Sequence, residues 1–177
     1  MHLPLLSAGF AAISLTLYVL LDGFDLGVGL LILFQRNEQS RDSMLDSITP
    51  TWDGNETWLI MAGVTMLAGF PIAYGILMPA LYLPLIVMLL ALGMRGVTFE
   101  FRAQDKRFKR KWDIVFGLGS AVAAAMQGVI LGALMQGLSV RAGAFTGTVL
   151  DCFTPFPFYV VVASYLSTLC SAPPGFN

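Results

Sequence analysis

LLSAGFAAISLTLYVLLDGFDLGVGLLILF, residues 5–34, is an apolar run broken by only two charges, Asp22 and Asp25. A helix needs about 20 mostly apolar residues to cross a hydrocarbon core of roughly 30 Å. At 1.5 Å per residue this run reaches about 45 Å, so the first span is expected to tilt or protrude. The rest of the chain has the same character: of 177 residues 56% are hydrophobic and 12% charged, where a soluble domain carries charge on about a quarter. The fold class expected is all-α: a polytopic transmembrane bundle of four to five spans in contact with the lipid bilayer, forming a single domain over 1–177.

Outward from the first run, the polar loop QRNEQSRDSMLDSITPTWDGNE (35–56) has room for a short interfacial helix around Asp42 to Ile48. No charge occurs from Thr57 to Met94, and Pro71 followed by Gly75 falls where a hairpin between spans two and three is needed. Charge returns in RGVTFEFRAQDKRFKRKWD (95–113), before span four from about Ile114 to Leu138. Phe153 to Leu169 is the candidate fifth span, with Pro155 and Pro157 at its start. The opening MHLPLLSAGF lacks a basic stretch and its apolar run outlasts a signal peptide, so the first segment is expected to be retained as a span.

Short loops rich in Lys and Arg stay in the cytoplasm. Arg102, Lys106, Arg107, Lys109, Arg110 and Lys111 cluster after span three, Arg36 and Arg41 follow span one, and Arg141 stands alone after span four. The N-terminus is therefore expected outside. A net charge of -1 argues against a nucleic-acid partner. Cys152 and Cys170 have no CxxC spacing, and His2 is the only histidine, so neither a zinc site nor a disulfide framework is supported.

Asp22 and Asp25 lie three apart, on one helix face, with Gly29 four residues beyond Asp25. An ionised Asp at the membrane centre costs about 2.5 to 3.5 kcal/mol on insertion scales, so such residues usually have a partner or a task. The pair reads either as a site that holds and releases protons or as a hydrogen bond to a neighbouring helix. Gly23, Gly27 and Gly29 read as packing residues, as do Gly128 and Gly132 beside Gln127 and Gln136 on span four. In TPTWDGNETW (49–58), Asp53 and Glu56 have the spacing of a capping box, yet with Asn55 they also make a polar group where a proton would enter. Trp52 and Trp58 could be interface anchors. Arg95 can pair with an intramembrane carboxylate, while Glu100 reads as part of a solvated face or of the same polar group.

LLDGFDLGVGLL, SITPTWDGNETWLI and RGVTFEFR, in this order and spacing, resemble subunit II of the cytochrome bd-type, or cyanide-insensitive, quinol oxidases, from about Tyr18 to the FTPF segment at Phe153 to Phe156. The resemblance implies a terminal respiratory oxidase of the bacterial inner membrane that oxidises quinol and reduces dioxygen. It implies a haem-bearing subunit I as partner, haems and catalytic centre on that partner, a possible structural quinone, and no metal or catalytic residue on this chain. The single histidine agrees, since a buried haem ligand is not available from it. Asp22 and Asp25 match the family's first-span acids, Asp53 and Glu56 its WDGNE motif, and Arg95 the arginine ending the third span. These five, with Glu100, are the expected proton-pathway residues, and Asp25, Asp53 and Arg95 are expected to share one polar group. Family members carry a second set of spans, so the chain corresponds to the first helical repeat, and 170–177 is expected as a disordered or aberrant tail. The competing readings are a proton- or cation-coupled transporter or channel subunit, which predicts broken helices and an inverted repeat, and a structural assembly factor.

Overall fold

The computed structural model describes residues 2–105, 107–141, 143–153, 157, 159–163 and 166. Five helices account for most of it: α1 (Leu3–Phe34), α2 (Glu38–Ile48), α3 (Trp52–Gly69), α4 (Pro71–Gln104) and α5 (Lys109–Gln136). A two-residue antiparallel pair, Val140–Arg141 with Ala144–Phe145, and a 3-10 turn at Val149–Phe153 follow. The turn between the two short strands uses Gly143 at φ +77, and α5 stops at Gly137 with φ +88, backbone angles that glycine adopts without a Cβ penalty. The fold is all-α.

Local chemistry sets the boundaries. Proline stands in the first turn of α1 and of α4, where its missing N–H would have had no partner. Asn37 caps α2 by accepting from the Gln39 backbone N–H at 3.0 Å. The bend between α3 and α4 falls on Phe70 alone, at φ -138 and ψ 59, directly before Pro71. The sequence placed Gly75 in this hairpin; instead it lies inside α4, because a single residue outside the helical range suffices to reverse the chain.

Among the described residues three helices, α1, α4 and α5, are long and apolar enough to cross a membrane. The expected second span is α3, whose 18 residues rise only about 27 Å. Span four begins earlier than expected, because the basic stretch from Lys109 joins α5. Most of the candidate fifth span and the tail 170–177 fall outside the described residues; residues 159–163 are helical and Val161 packs against α5 at Gly128.

Large apolar side chains such as Leu20, Ile72, Leu90 and Met135 are turned outward, while Asp22, Asp25, Arg95 and Asp113 are fully buried. This inversion of the soluble pattern suits a protein whose solvent is lipid. Three apolar clusters stack along the bundle. One packs the α2 end around Val28, Ile32, Met44, Ile48 and Phe116, the next lies mid-bundle around Leu26, Met88, Leu92 and Ala123, and the third fills the opposite end around Ala80, Val129 and Ala133.

Candidate functional site

Between the α2-end cluster and the mid-bundle cluster lies a group of buried charges. Asp22 and Asp25 stand one turn apart on α1, both at 0% exposure. From α4, Arg95 Nη1 donates to Asp22 Oδ1 at 3.1 Å and lies 3.5 Å from Glu56 Oε1 on α3. Asn55 of α3 donates from Nδ2 to Asp25 Oδ2 at 2.8 Å. The fourth wall is α5, whose Phe116 ring lies beneath the Arg95 guanidinium with 5.4 Å to the ring centroid. Four helices therefore converge on one arginine.

Packing fixes that arginine. Phe99 meets Phe116 edge-on and stacks on Trp52, each at 5.1 Å between centroids. Trp52 can come this close to α4 because residue 96 is glycine: a Cβ there would stand 2.9 Å from the indole. Gly29 does the same for α1 and α5, since its Cβ would stand 2.6 Å from that of Ser120. The charges thus sit in a close-packed, low-dielectric frame, where pairing and hydrogen bonding decide whether an ion is tolerated.

Asp22, Asp25 and Glu56 offer three carboxyls to the single guanidinium of Arg95. With all three ionised the group would carry two uncompensated negative charges, which a low-dielectric interior opposes strongly. Protons on two of the carboxyls would make it neutral. Asp22 Oδ2, Asp25 Oδ1, Glu56 Oε1 and two Arg95 nitrogens have no hydrogen-bond partner among the described residues. Buried polar atoms are nearly always paired, so this group has spare capacity for protons or water. The Glu56 side chain, at 18% exposure, reaches furthest toward the surface.

Other expected site residues stand apart. Asp53 is exposed in the first turn of α3, outside the group it was expected to share with Asp25 and Arg95; Asn55 and Glu56 take that place. Nor is Asp53 a cap, because Thr51 occupies the N-cap position. Glu100 is exposed on α4 and accepts from Gln104 Nε2 at 2.9 Å. Gly27 is buried, Gly128 and Gly132 lie against Val161 and Pro157, and Gly23 has nothing within 4 Å of where a Cβ would be.

Sequence reasoning missed a second ionic network at the α2 end. Asp113, fully buried, accepts from Arg41 Nε and from Arg102 Nε, both at 2.6 Å. Arg102 also donates to Asp42 at 2.6 Å, and Lys109 donates to Asp42 at 3.1 Å. Burial pushes the Asp42 carboxyl up, but the hydrogen bonds from Arg102 and Lys109 outweigh it and hold the group below the ordinary carboxylate range. Arg110 caps α1 by donating to the carbonyls of Ile32 and Leu33. Apart from Arg102 with Asp113, 11 positions apart, the pairings join residues about 60 to 78 positions apart, so only their spare charge was visible in the sequence. Tyr18 was missed too; its hydroxyl accepts from Gln127 Nε2 of α5, a polar residue one turn from Asp22 on the same face. Among the described residues no His, Cys, Asp or Glu cluster could hold a metal ion.

The family described as cytochrome bd terminal oxidase subunit II matches residues 3–172. Curated relatives include cytochrome bd-I ubiquinol oxidase subunit 2 of Escherichia coli (strain K12), 35% identical over 155 residues, or 83% of this chain and 41% of the relative. Cytochrome bd ubiquinol oxidase subunit 2 of Bacillus subtilis (strain 168) is 37% identical over 128 residues, 71% of this chain and 38% of the relative. The probable cytochrome oxidase subunit 2 of Haemophilus influenzae is 34% identical over 151 residues, 81% of this chain and 40% of the relative. The chain spans about two fifths of the length of these relatives.

Proposed function

The chain belongs to the cytochrome bd terminal oxidase subunit II family, and from that premise we propose that it serves a quinol:oxygen oxidoreductase as the subunit without haem. In this reading it packs against a haem-bearing subunit I in the bacterial inner membrane, with quinol and dioxygen handled by the complex. Its own task is to bring protons toward the redox centre. The observation that carries this is the surplus of buried carboxyls, Asp22, Asp25 and Glu56, around Arg95.

Each carboxyl can take or give one proton without moving its helix. Glu56 is the natural entry, being the member nearest the surface. Asn55 orients Asp25, and Phe116 with Phe99 keeps the guanidinium from swinging away. The α2 end faces the cytoplasm in this proposal: Arg36, Arg107, Arg110 and Lys111 lie there, while Arg141 stands at the other end. In this reading haem ligation falls to the partner, and the exposure of His2, the one histidine of this sequence, supports it. A structural quinone between the subunits is compatible with the outward apolar side chains.

Affinity purification of the chain from its own membranes, followed by a visible absorption spectrum, tests the assignment. Haem carried by a larger co-purifying chain is the expected result; a colourless chain with no such companion contradicts it. Glu56→Gln in that complex is expected to slow proton uptake and oxygen consumption together, by roughly a hundredfold if the carboxyl is an obligatory relay. Unchanged rates would favour a purely structural role.

A further inference from the structure

Ser14, Tyr18 and Asp22 follow one another at four-residue intervals on α1 and so line one face, where all three are buried. The neighbouring Thr16 shows what a hydroxyl on an apolar helix ordinarily does: it returns its proton to the carbonyl four residues back, Ala12, at 2.8 Å. Ser14 does not, and its Oγ has no hydrogen-bond partner among the described residues although it is shielded completely. Tyr18 is also polarised in one direction. Gln127 Nε2 donates to its oxygen, which leaves the phenolic proton for another acceptor, and the hydroxyl faces Asp22.

We propose that Ser14, Tyr18 and Gln127 form a hydrogen-bonded line that extends the acid cluster from Asp22 toward the half of the membrane remote from α2. The idea rests on the reading of that cluster as a proton carrier. Ser14 precedes Tyr18 by about one helical turn on the same face, a placement in which water can bridge two side chains. A single water between the Ser14 and Tyr18 hydroxyls would satisfy the serine and close the line. Transfer then needs only O–H bonds. For a proton leaving Asp22 the phenol O–H turns toward Ser14, the oxygen accepts the proton from Asp22 and the phenol releases its own to the bridging water, so the phenol ends as it began. Gln127 holds the phenol oxygen in place without exchanging a proton, which makes it a positioning residue. The competing view is that Tyr18 and Gln127 only tie α1 to α5.

The test is proton uptake by the purified complex in vesicles after an oxygen pulse, with the KM for quinol measured alongside. Tyr18→Phe is expected to slow uptake by a factor on the order of ten to a hundred with KM unchanged, while Thr16→Val behaves as wild type. Tyr18→Phe alone strands the Gln127 amide, so assembly could fail for structural reasons. The double variant Tyr18→Phe with Gln127→Leu removes both partners and is expected to recover the yield of complex while uptake stays slow. Wild-type uptake in either variant overturns the line. Glu56→Gln separates the two failures: if it slows uptake and Tyr18→Phe does not, only the extension is wrong, and if neither does, the proton-carrying role of the cluster falls as well.

Discussion

Arg95 is the residue on which the buried charges depend. Removing a partner from a buried ion pair costs about 3–5 kcal/mol, chiefly because the charge left behind has lost its compensation. Arg95→Met would strand Asp22 and Glu56 together, so its melting midpoint in the purified complex should fall sharply. Arg95→Lys should recover only part of the loss. An ammonium is a point charge and cannot reproduce a planar guanidinium that meets two carboxyls while lying over Phe116. A midpoint within a degree or so of wild type for Arg95→Met would show that the pair contributes nothing to the fold. Asp22 and Asp25 were legible in the sequence because two charges stand out in a long apolar run. Of the two readings of Glu100, a solvated face or a place in the polar group, its exposure fits the first. It follows Arg95 by five residues, and at 100° per residue it points about 140° away, toward the surface. Asp53 differs from Asn55 and Glu56 for a related reason: which flank of α3 meets α1 is settled by packing, and spacing alone does not reveal it.

Among the elements, the contact of α1 with α5 and the docking of α2 are the two most open to test. Gly29 is squeezed against Ser120 and Phe116. Gly29→Val should cost at least about 1–3 kcal/mol through overpacking and lower the yield of folded protein. Gly23→Ala meets nothing within 4 Å in this chain and should fold as wild type. Equal yields for the two would mean that α1 and α5 are not in close contact. The helices themselves were readable from hydropathy, proline and charge. The ionic clamp on α2 was not, because its geometry depends on the fold of distant segments. Asp42 titrates below the ordinary carboxylate range, so the stability it contributes is present above the unfolded pKa of about 3.9 and is lost as pH falls through the lowered folded value. Acidification below about pH 4 should therefore loosen α2 by hydrogen exchange corrected for intrinsic rates. Asp42→Asn should show the looser behaviour at neutral pH. Exchange in α2 that is the same in both proteins at every pH would remove Asp42 from the clamp.

At the scale of the molecule, apolar side chains outside and charges inside define a membrane bundle with one basic end. Cysteine introduced at Arg107 should react with an impermeant maleimide only from the cytoplasmic side, and cysteine at Ser139 only from outside. The reverse pattern would invert the orientation and put Glu56 at the wrong face for proton uptake. The overall class followed from composition and loop charge; the layering of apolar clusters above and below one polar group did not, since it arises only when four helices meet. The most direct test of that group is a reduced-minus-oxidised infrared difference spectrum of the purified complex. If these acids exchange protons during turnover, a protonated-carboxyl band changes on reduction, and it is lost or shifted in at least one of Asp22→Asn, Asp25→Asn and Glu56→Gln. A spectrum identical to wild type in all three variants would contradict the role assigned to the cluster.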